Sequence, residues 1–162
     1  MYPEKFDTST LSDNDRELLA QFFVRRELFD AFIKNEKLTL FTCPGCGYPT
    51  LNERGGYDIC AVCNWEDDRQ DNETADEIWG GPNADLSLTE NRIQIGRVFQ
   101  GLAEEKGSCL NENVIEVFGI LKNHQSRMNQ ISKSIPMESG LEDEHWSKWR
   151  KAEKTLLEEL IK

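Results

Sequence analysis

The chain lacks any run of about 18 apolar residues, so no segment is expected to span a membrane. Its first twelve residues contain no apolar stretch of the kind that directs secretion, and the chain is expected to stay in the cytosol. An excess of positive charge is missing too: 19 Lys and Arg stand against 30 Asp and Glu, a net charge of -11. Lys and Arg displace counterions from phosphates, so a chain of the opposite sign is a poor direct binder of DNA or RNA. A basic partner is favoured instead. Histidine occurs only at His124 and His145, which leaves a cysteine–histidine nucleophile few partners to draw on. There is no internal repeat and no low-complexity tract.

What is present suits a soluble protein rich in surface. The chain has 162 residues, of which 38% are apolar and 30% charged, with a mean hydropathy of -0.64. A chain of this length buries roughly two-thirds of its unfolded surface and needs no disulfides to build a core.

Three segments follow one another. In residues 1–37, positions 12–37 read as one amphipathic helix capped by Ser12 and Asp15, with Leu18, Leu19, Phe22, Phe23, Leu28, Phe29, Phe32 and Ile33 at helical spacing. Arg25, Arg26, Lys34 and Lys37 bias positive charge toward its C-terminal half. Residues 38–86 lose the helical period and collect glycine, proline and four of the five cysteines. There, 38–42 reads as a strand, and 50–53 with 57–59 as a hairpin turning at Arg54-Gly55-Gly56. Residues 87–162 return to helices: a capping box at Ser87 and Glu90 opens one over 88–106, a second runs from 114 to about 132, and a third spans 141–161 after a linker at 134–140. Together these predict an α+β protein, mostly helical, with helices packed around a small β-hairpin module in one compact domain.

The chemistry lies in Cys43-Pro44-Gly45-Cys46 and Cys60-Ala61-Val62-Cys63, two C-x2-C pairs separated by 13 residues. A two-residue spacing lets both sulfurs and nearby backbone N–H groups point inward, so two such pairs face to face form a tetrahedral thiolate site. Zinc is the ion that soft thiolates and this geometry select, and iron in a rubredoxin-like site is its chemical rival. A disulfide framework needs an oxidising compartment, and a thioredoxin-like motif needs a strand-to-helix turn. Neither context is visible here. Zinc binding to such segments is worth roughly 10–16 kcal/mol, as much as a whole domain's stability. Residues 38–86 are therefore expected to depend on the ion to fold, while the flanking helices need not. Four thiolates close the coordination shell and leave no position for an activated water, so the ion is structural and no catalytic residue is assigned. Cys109 reads as a small buried hydrophobe or an exposed thiol.

Residues 64–90 hold nine acids against one base. A calcium loop is excluded by the missing glycine at its turn. The tract reads either as a solvated loop or as a docking face for a basic protein. In the second case Trp65, Glu66, Asp67, Asp68, Asp71, Glu73, Asp76, Glu77 and Trp79 are the candidate contacts.

The stretch from Cys43 through Leu51, then Arg54-Gly55, Tyr57, Ile59-Cys60, Val62-Cys63, Trp65 through Asp68, Gln70-Asp71, Gly80 through Asn83 and Leu88-Thr89-Glu90, resembles the bacterial cysteine-rich CPCC family. The chain departs from the family pattern at Gly45, where a further cysteine is usual, and at Ala61 and Asn64. The resemblance implies a small zinc-ribbon-like module over roughly residues 41–100. It implies no reaction, because the family is defined by its cysteines. Size, charge and the lack of catalytic residues favour a non-enzymatic inhibitor of a basic bacterial toxin such as a nuclease, of the immunity-protein or antitoxin type. The alternative is a zinc-ribbon adaptor in transcription or translation.

Overall fold

The structure is a computed structural model that describes residues 3–133 and 142–162. Its regular elements are a strand β1 (Glu4–Lys5), helix α1 (Asp13–Asn35), strand β2 (Glu77–Ile78) and helices α2 (Leu88–Lys106), α3 (Val114–Lys133) and α4 (Glu142–Glu159). Three short 3-10 turns, at Thr8–Thr10, Asn72–Thr74 and Gly81–Asn83, lie between them. The helices fall where periodicity and capping place them. Ser12 Oγ accepts from the Asp15 N–H at 3.1 Å, and Ser87 with Glu90 forms the reciprocal pair that opens α2. The expected linker at 134–140 and the first residue of the helix expected over 141–161 lie outside the described residues.

Backbone contacts divide the chain into two compact units, the first ending at Gly101 and the second beginning at Leu102. The expected segment boundaries lay at 37/38 and 86/87, whereas this one falls inside α2.

In the first unit, Leu18, Phe22 and Phe29 of α1 and Leu88, Ile93, Ile95 and Phe99 of α2 are buried. A Cβ on Gly96 would lie 3.1 Å from Leu18 Cβ, so the missing side chain is what lets α1 seat closely on α2. Asp15–Arg97 and the reciprocal amide bonds of Asn14 and Gln100 tie the same two helices at their rim. Tyr48, Leu51 and Trp65 of the cysteine-rich segment are fully buried in this unit, and the Tyr48 ring packs on both Phe29 and Phe99. The cysteine-rich module thus sits between the helices, as the expected architecture has it.

The β-structure differs from expectation. The two-stranded antiparallel sheet pairs Glu4 with Ile78 and Lys5 with Glu77, and neither strand is anticipated by a two-residue pattern. Residues 38–42 form no strand, and 50–53 does not pair with 57–59. Leu51 pairs back with Phe41, and Ile59 pairs forward with Glu66. Each C-x2-C knuckle is itself the reversal of a tiny hairpin, closed by the cysteine N–H and by a residue of positive φ, so the reversal falls at the cysteines and not at Arg54-Gly55-Gly56.

In the second unit α3 packs on α4, with Val117, Ala152, Leu156, Leu160 and Ile161 buried. The chain end returns to the segment before α3 through Leu110↔Ile161 and the Lys162 N–H on Cys109 O. Two placements here differ from what sequence position suggests, and the two readings of Cys109 are resolved. His124, which stands among polar residues in the sequence, is buried, and burial lowers its pKa from the ordinary histidine value. Trp146, which shares helical spacing with Trp149, Leu156 and Leu160, is half exposed. Cys109 is an exposed thiol.

Truncating Leu156 to alanine removes a fully buried side chain from the second unit. It is expected to cost about 2–5 kcal/mol in denaturant unfolding and to leave Co2+ uptake by the cysteines unchanged.

Candidate metal centre

The two knuckles are structural copies seventeen residues apart, although the sequence between them does not repeat. In each, the first cysteine's N–H donates to the carbonyl five residues on: Cys43 to Tyr48 at 2.8 Å and Cys60 to Trp65 at 2.9 Å. Gly47 N–H returns to Cys43 O at 2.8 Å, and Asn64 N–H to Cys60 O at 2.9 Å. Both closing residues have positive φ, +86° at Gly47 and +64° at Asn64. Asparagine tolerates that region, so the departure at Asn64 preserves the turn. At Gly47 a side chain would also meet the Arg26 backbone at 3.1 Å, which leaves glycine alone suited to the position. The middle N–H of each knuckle points at sulfur: Gly45 at Cys43 Sγ, 3.3 Å, and Val62 at Cys60 Sγ, 3.4 Å.

This geometry brings Cys43, Cys46, Cys60 and Cys63 together, with one ligand atom from each within 4.8 Å of all the others. Cys43 Sγ lies 3.7 Å from Cys63 Sγ, and Cys46 Sγ 3.5 Å from Cys60 Sγ. A tetrahedral ion about 2.3 Å from each sulfur requires an S···S edge of about 3.8 Å. Two opposite edges of the sulfur set are therefore close to those of such a shell, and the four cysteines could hold a metal ion. Burial pushes the thiols of Cys43 and Cys46 well above their ordinary value. It opposes ionisation of Cys60 as well, but the bonds from the other three cysteines and from Thr50 Oγ1, 3.0 Å away, hold that thiol low. Four thiolates in this interior need a cation among them.

The helices hold the first knuckle from behind. Its three successive carbonyls are all occupied: Arg92 Nε donates to Pro44 O at 2.8 Å, Asn91 Nδ2 to Gly45 O at 3.2 Å, and Arg25 Nε to Cys46 O at 2.7 Å. The Asn91 amide also explains Gly45: a Cβ there would stand 2.5 Å from Asn91 Nδ2 and 3.2 Å from Cys63 Sγ. The cysteine usual in the family at this position would displace that amide. Arg25 and Arg92 were not anticipated as buried residues. The available signal was phase, since Leu18-Phe22-Arg25-Phe29 and Leu88-Arg92-Ile95-Phe99 are buried stripes each interrupted by one arginine.

The acidic tract turns inward more than expected. Trp65 and Asp67 are buried, so neither can touch a docked protein. Asp67 accepts from Arg54 Nε at 2.9 Å, from the Gly55 N–H at 2.7 Å and from the Arg69 N–H at 3.2 Å, and so shapes the Arg54-Gly55 turn. Asp71 is shared by Arg26, at 2.6 Å, and Arg54, at 2.7 Å, which straps α1 to the loop. Burial opposes ionisation of Asp71, but the two guanidiniums outweigh it and hold the carboxyl well below the usual range. Asp68 takes the Gln70 N–H, and burial raises its pKa. Asp76 accepts from Thr89 Oγ1, Glu66 is bracketed at its backbone by the Asn83 amide, and Glu77 takes the Trp79 indole N–H. Only Glu73 and Trp79 of the expected contacts are exposed.

These features define a small module in which four clustered cysteines could hold a metal ion. Residues 41–113, somewhat under half of the chain, match the family model described as Cysteine-rich CPCC, which agrees with the resemblance read from the motif. No curated protein and no solved structure matches the chain.

Two outcomes follow from this geometry. The reduced chain is expected to take up about one equivalent of Co2+ with thiolate charge-transfer absorption, and stripping it with a chelator should expose residues 41–66 to proteolysis, as should Cys60→Ser. Asp71→Asn is expected to cost about 1–3 kcal/mol. The Asp71 carboxylate contributes fully above its unfolded pKa, about 3.9, and its contribution fades as pH falls below that toward the depressed folded value. The difference between parent and variant in urea unfolding should therefore stay constant from about pH 7 to 5 and shrink below about 4.

Proposed function

We propose that the chain is a non-enzymatic binding protein, stapled by one structural Zn2+ on Cys43, Cys46, Cys60 and Cys63, that docks a basic protein in an acidic groove. The closed thiolate set supports the structural role of the ion, since a fourfold thiolate shell leaves no place for a reacting water.

The observation that carries the docking reading is a groove of about 770 Å³ on the first unit. Four carboxylates and two guanidiniums line it. Of these, Arg26 and Asp71 neutralise one another, which leaves Glu27, Asp30 and Glu73 against Arg69. Phe23 and Trp79 line the same groove and are 45% and 46% exposed, so they supply the aromatic contact area that an interface needs. An acidic floor with aromatic walls suits lysine or arginine side chains of a partner, through carboxylate pairing and cation–π contact. A basic toxin such as a nuclease, covered in the manner of an immunity protein or antitoxin, has the required chemistry. The negative charge of the groove disfavours nucleic acid directly and speaks for this reading over a zinc-ribbon adaptor.

The test begins with native mass spectrometry of the chain purified gently from its host, followed by association kinetics with the protein that copurifies. Association should slow steeply with added salt, and the triple change Glu27→Lys, Asp30→Lys, Glu73→Lys should slow it about tenfold or more at low salt. A copurifying partner that is acidic, or a rate indifferent to salt and to those changes, would remove the reading.

A further inference from the structure

The two arginines behind the first knuckle pose an electrostatic problem. Arg25 and Arg92 are 8% and 2% exposed. Among the described residues, neither has a carboxylate within ion-pair distance, although five other basic residues of the chain have partners closer than 4.0 Å. Arg25 donates to Cys46 O and lies over the rings of Tyr48 and Phe99, with its Nη2 left without a hydrogen-bond partner. Arg92 donates to Pro44 O and to Asn72 Oδ1 and lies over Phe22 and Phe23. The two acids that bear on Arg92 are engaged elsewhere, Asp71 by Arg26 and Arg54 and Asp76 by Thr89. Two permanent cations are thus buried among aromatic rings and peptide carbonyls. Rings and carbonyls soften that cost, but they do not balance the charge.

The balancing charge stands on the other side of those carbonyls. A divalent ion held by four thiolates carries a net charge of -2, and two guanidiniums supply +2. We propose that Arg25 and Arg92 are the charge partners of the tetracysteine site, placed by α1 and α2 to neutralise a divalent tetrathiolate and to set how tightly it is held. The coupling has a visible path at Arg92. Its guanidinium polarises the Pro44 carbonyl, and the N–H of that same peptide unit, on Gly45, donates to Cys43 Sγ. One peptide dipole therefore links the cation to a ligand sulfur, and hydrogen bonds in such a chain strengthen one another. Arg25 holds the next carbonyl but one, at Cys46, whose own sulfur belongs to the site.

This inference rests on the metal reading and is independent of the docking reading. The experiment uses the full chain loaded with Zn2+ and follows metal loss to a chromophoric chelator. Arg25→Gln and Arg92→Gln are each expected to speed loss or weaken affinity about tenfold or more, as outer-shell partners of metal ligands do. Arg25→Lys and Arg92→Lys keep the charge and should stay close to the parent. Arg97→Gln is the control, since it removes a cation from the same helix that is paired with Asp15 instead. A second readout separates charge from mere positioning. In the iron-loaded chain, each glutamine variant should move the reduction potential to more negative values, because losing a nearby cation penalises the reduced -2 state more than the oxidised -1 state. If lysine and glutamine variants lose zinc alike, or the glutamine variants hold it as the parent does with an unmoved potential, the charge role is wrong. Should a glutamine variant not fold, its lysine counterpart decides alone: zinc loss well above the parent rate overturns the proposal. A parent chain that takes up no divalent ion overturns the metal reading itself, and this inference with it.

Discussion

Four sulfurs held within 4.8 Å of one another in a dry interior are the constraint from which the rest of the first unit follows. Neutral thiols in that place would be a poorly packed, weakly bonded cluster. Thiolates would repel one another without a cation. The local features suit the second state with a cation, which the four sulfurs could hold. The knuckle N–H groups aim at sulfur, the closing residues adopt positive φ so that the loop can turn tightly enough, and the side chains behind take up the outward carbonyls. Backbone groups in so short a turn cannot find partners in regular structure, so the helices must bring them. Arg25, Asn91 and Arg92 are those partners. The helices and the knuckle are thus one object and not a metal module with helices attached.

The acidic tract belongs to the same object for most of its length. A run of carboxylates in sequence looks like a solvated or docking surface, yet the pairing of Asp67 and Asp71 with Arg54 and Arg26 is internal. Arg54 bridges both acids, Gln70 is buried and donates to Thr74 O and Glu77 O, and Asn83 binds both backbone groups of Glu66 as a neighbouring strand would. Where regular β-structure is only two residues long, side chains do the work of a ladder. What remains facing solvent is a smaller negative surface, centred on residues of α1 that composition did not single out, Glu27 and Asp30, together with Glu73.

How much of this was legible depended on whether a residue's role is written in spacing or in three-dimensional pairing. The helices were legible because their buried faces recur at 3.6 residues and their starts carry Ser12 and Ser87. The cysteines were legible because a C-x2-C spacing permits little else. The strand pairs were not, because pairings of one or two residues have no period to detect. Phe23 and Leu28 recur at helical spacing with the core residues yet are half exposed, while Arg25, which lies between them, is buried. The apolar residues of α1 cover more than one face, and only the partner helix decides which of them is inside. A charged residue looks the same in sequence whether water or a buried counter-charge surrounds it, so Arg25 and Asp67 were both misplaced for the same reason.

That symmetry has a consequence for which parts of the chain rely on the ion. Helices flanking a metal module are ordinarily expected to stand without it, and composition alone supports that expectation here. Yet α1 and α2 each direct an arginine into the interior, toward the knuckle. With the divalent tetrathiolate in place, those cations complete a neutral cluster. Without it, closing α1 onto α2 buries two guanidiniums against neutral carbonyls and rings, at a penalty that is still several kcal/mol per ion after relaxation. That is a large fraction of what a domain of this size has in hand. On the proposed charge pairing, the contacts that make α1 and α2 good partners, Leu18 against Gly96 and Tyr48 between Phe29 and Phe99, would be favoured by the loaded site. The unit formed by α3 and α4 carries no such debt: its buried His124 can shed its proton, whereas an arginine cannot. On that pairing, dependence on the ion would follow the buried arginines, through α1 and the first part of α2 and well beyond the cysteines themselves.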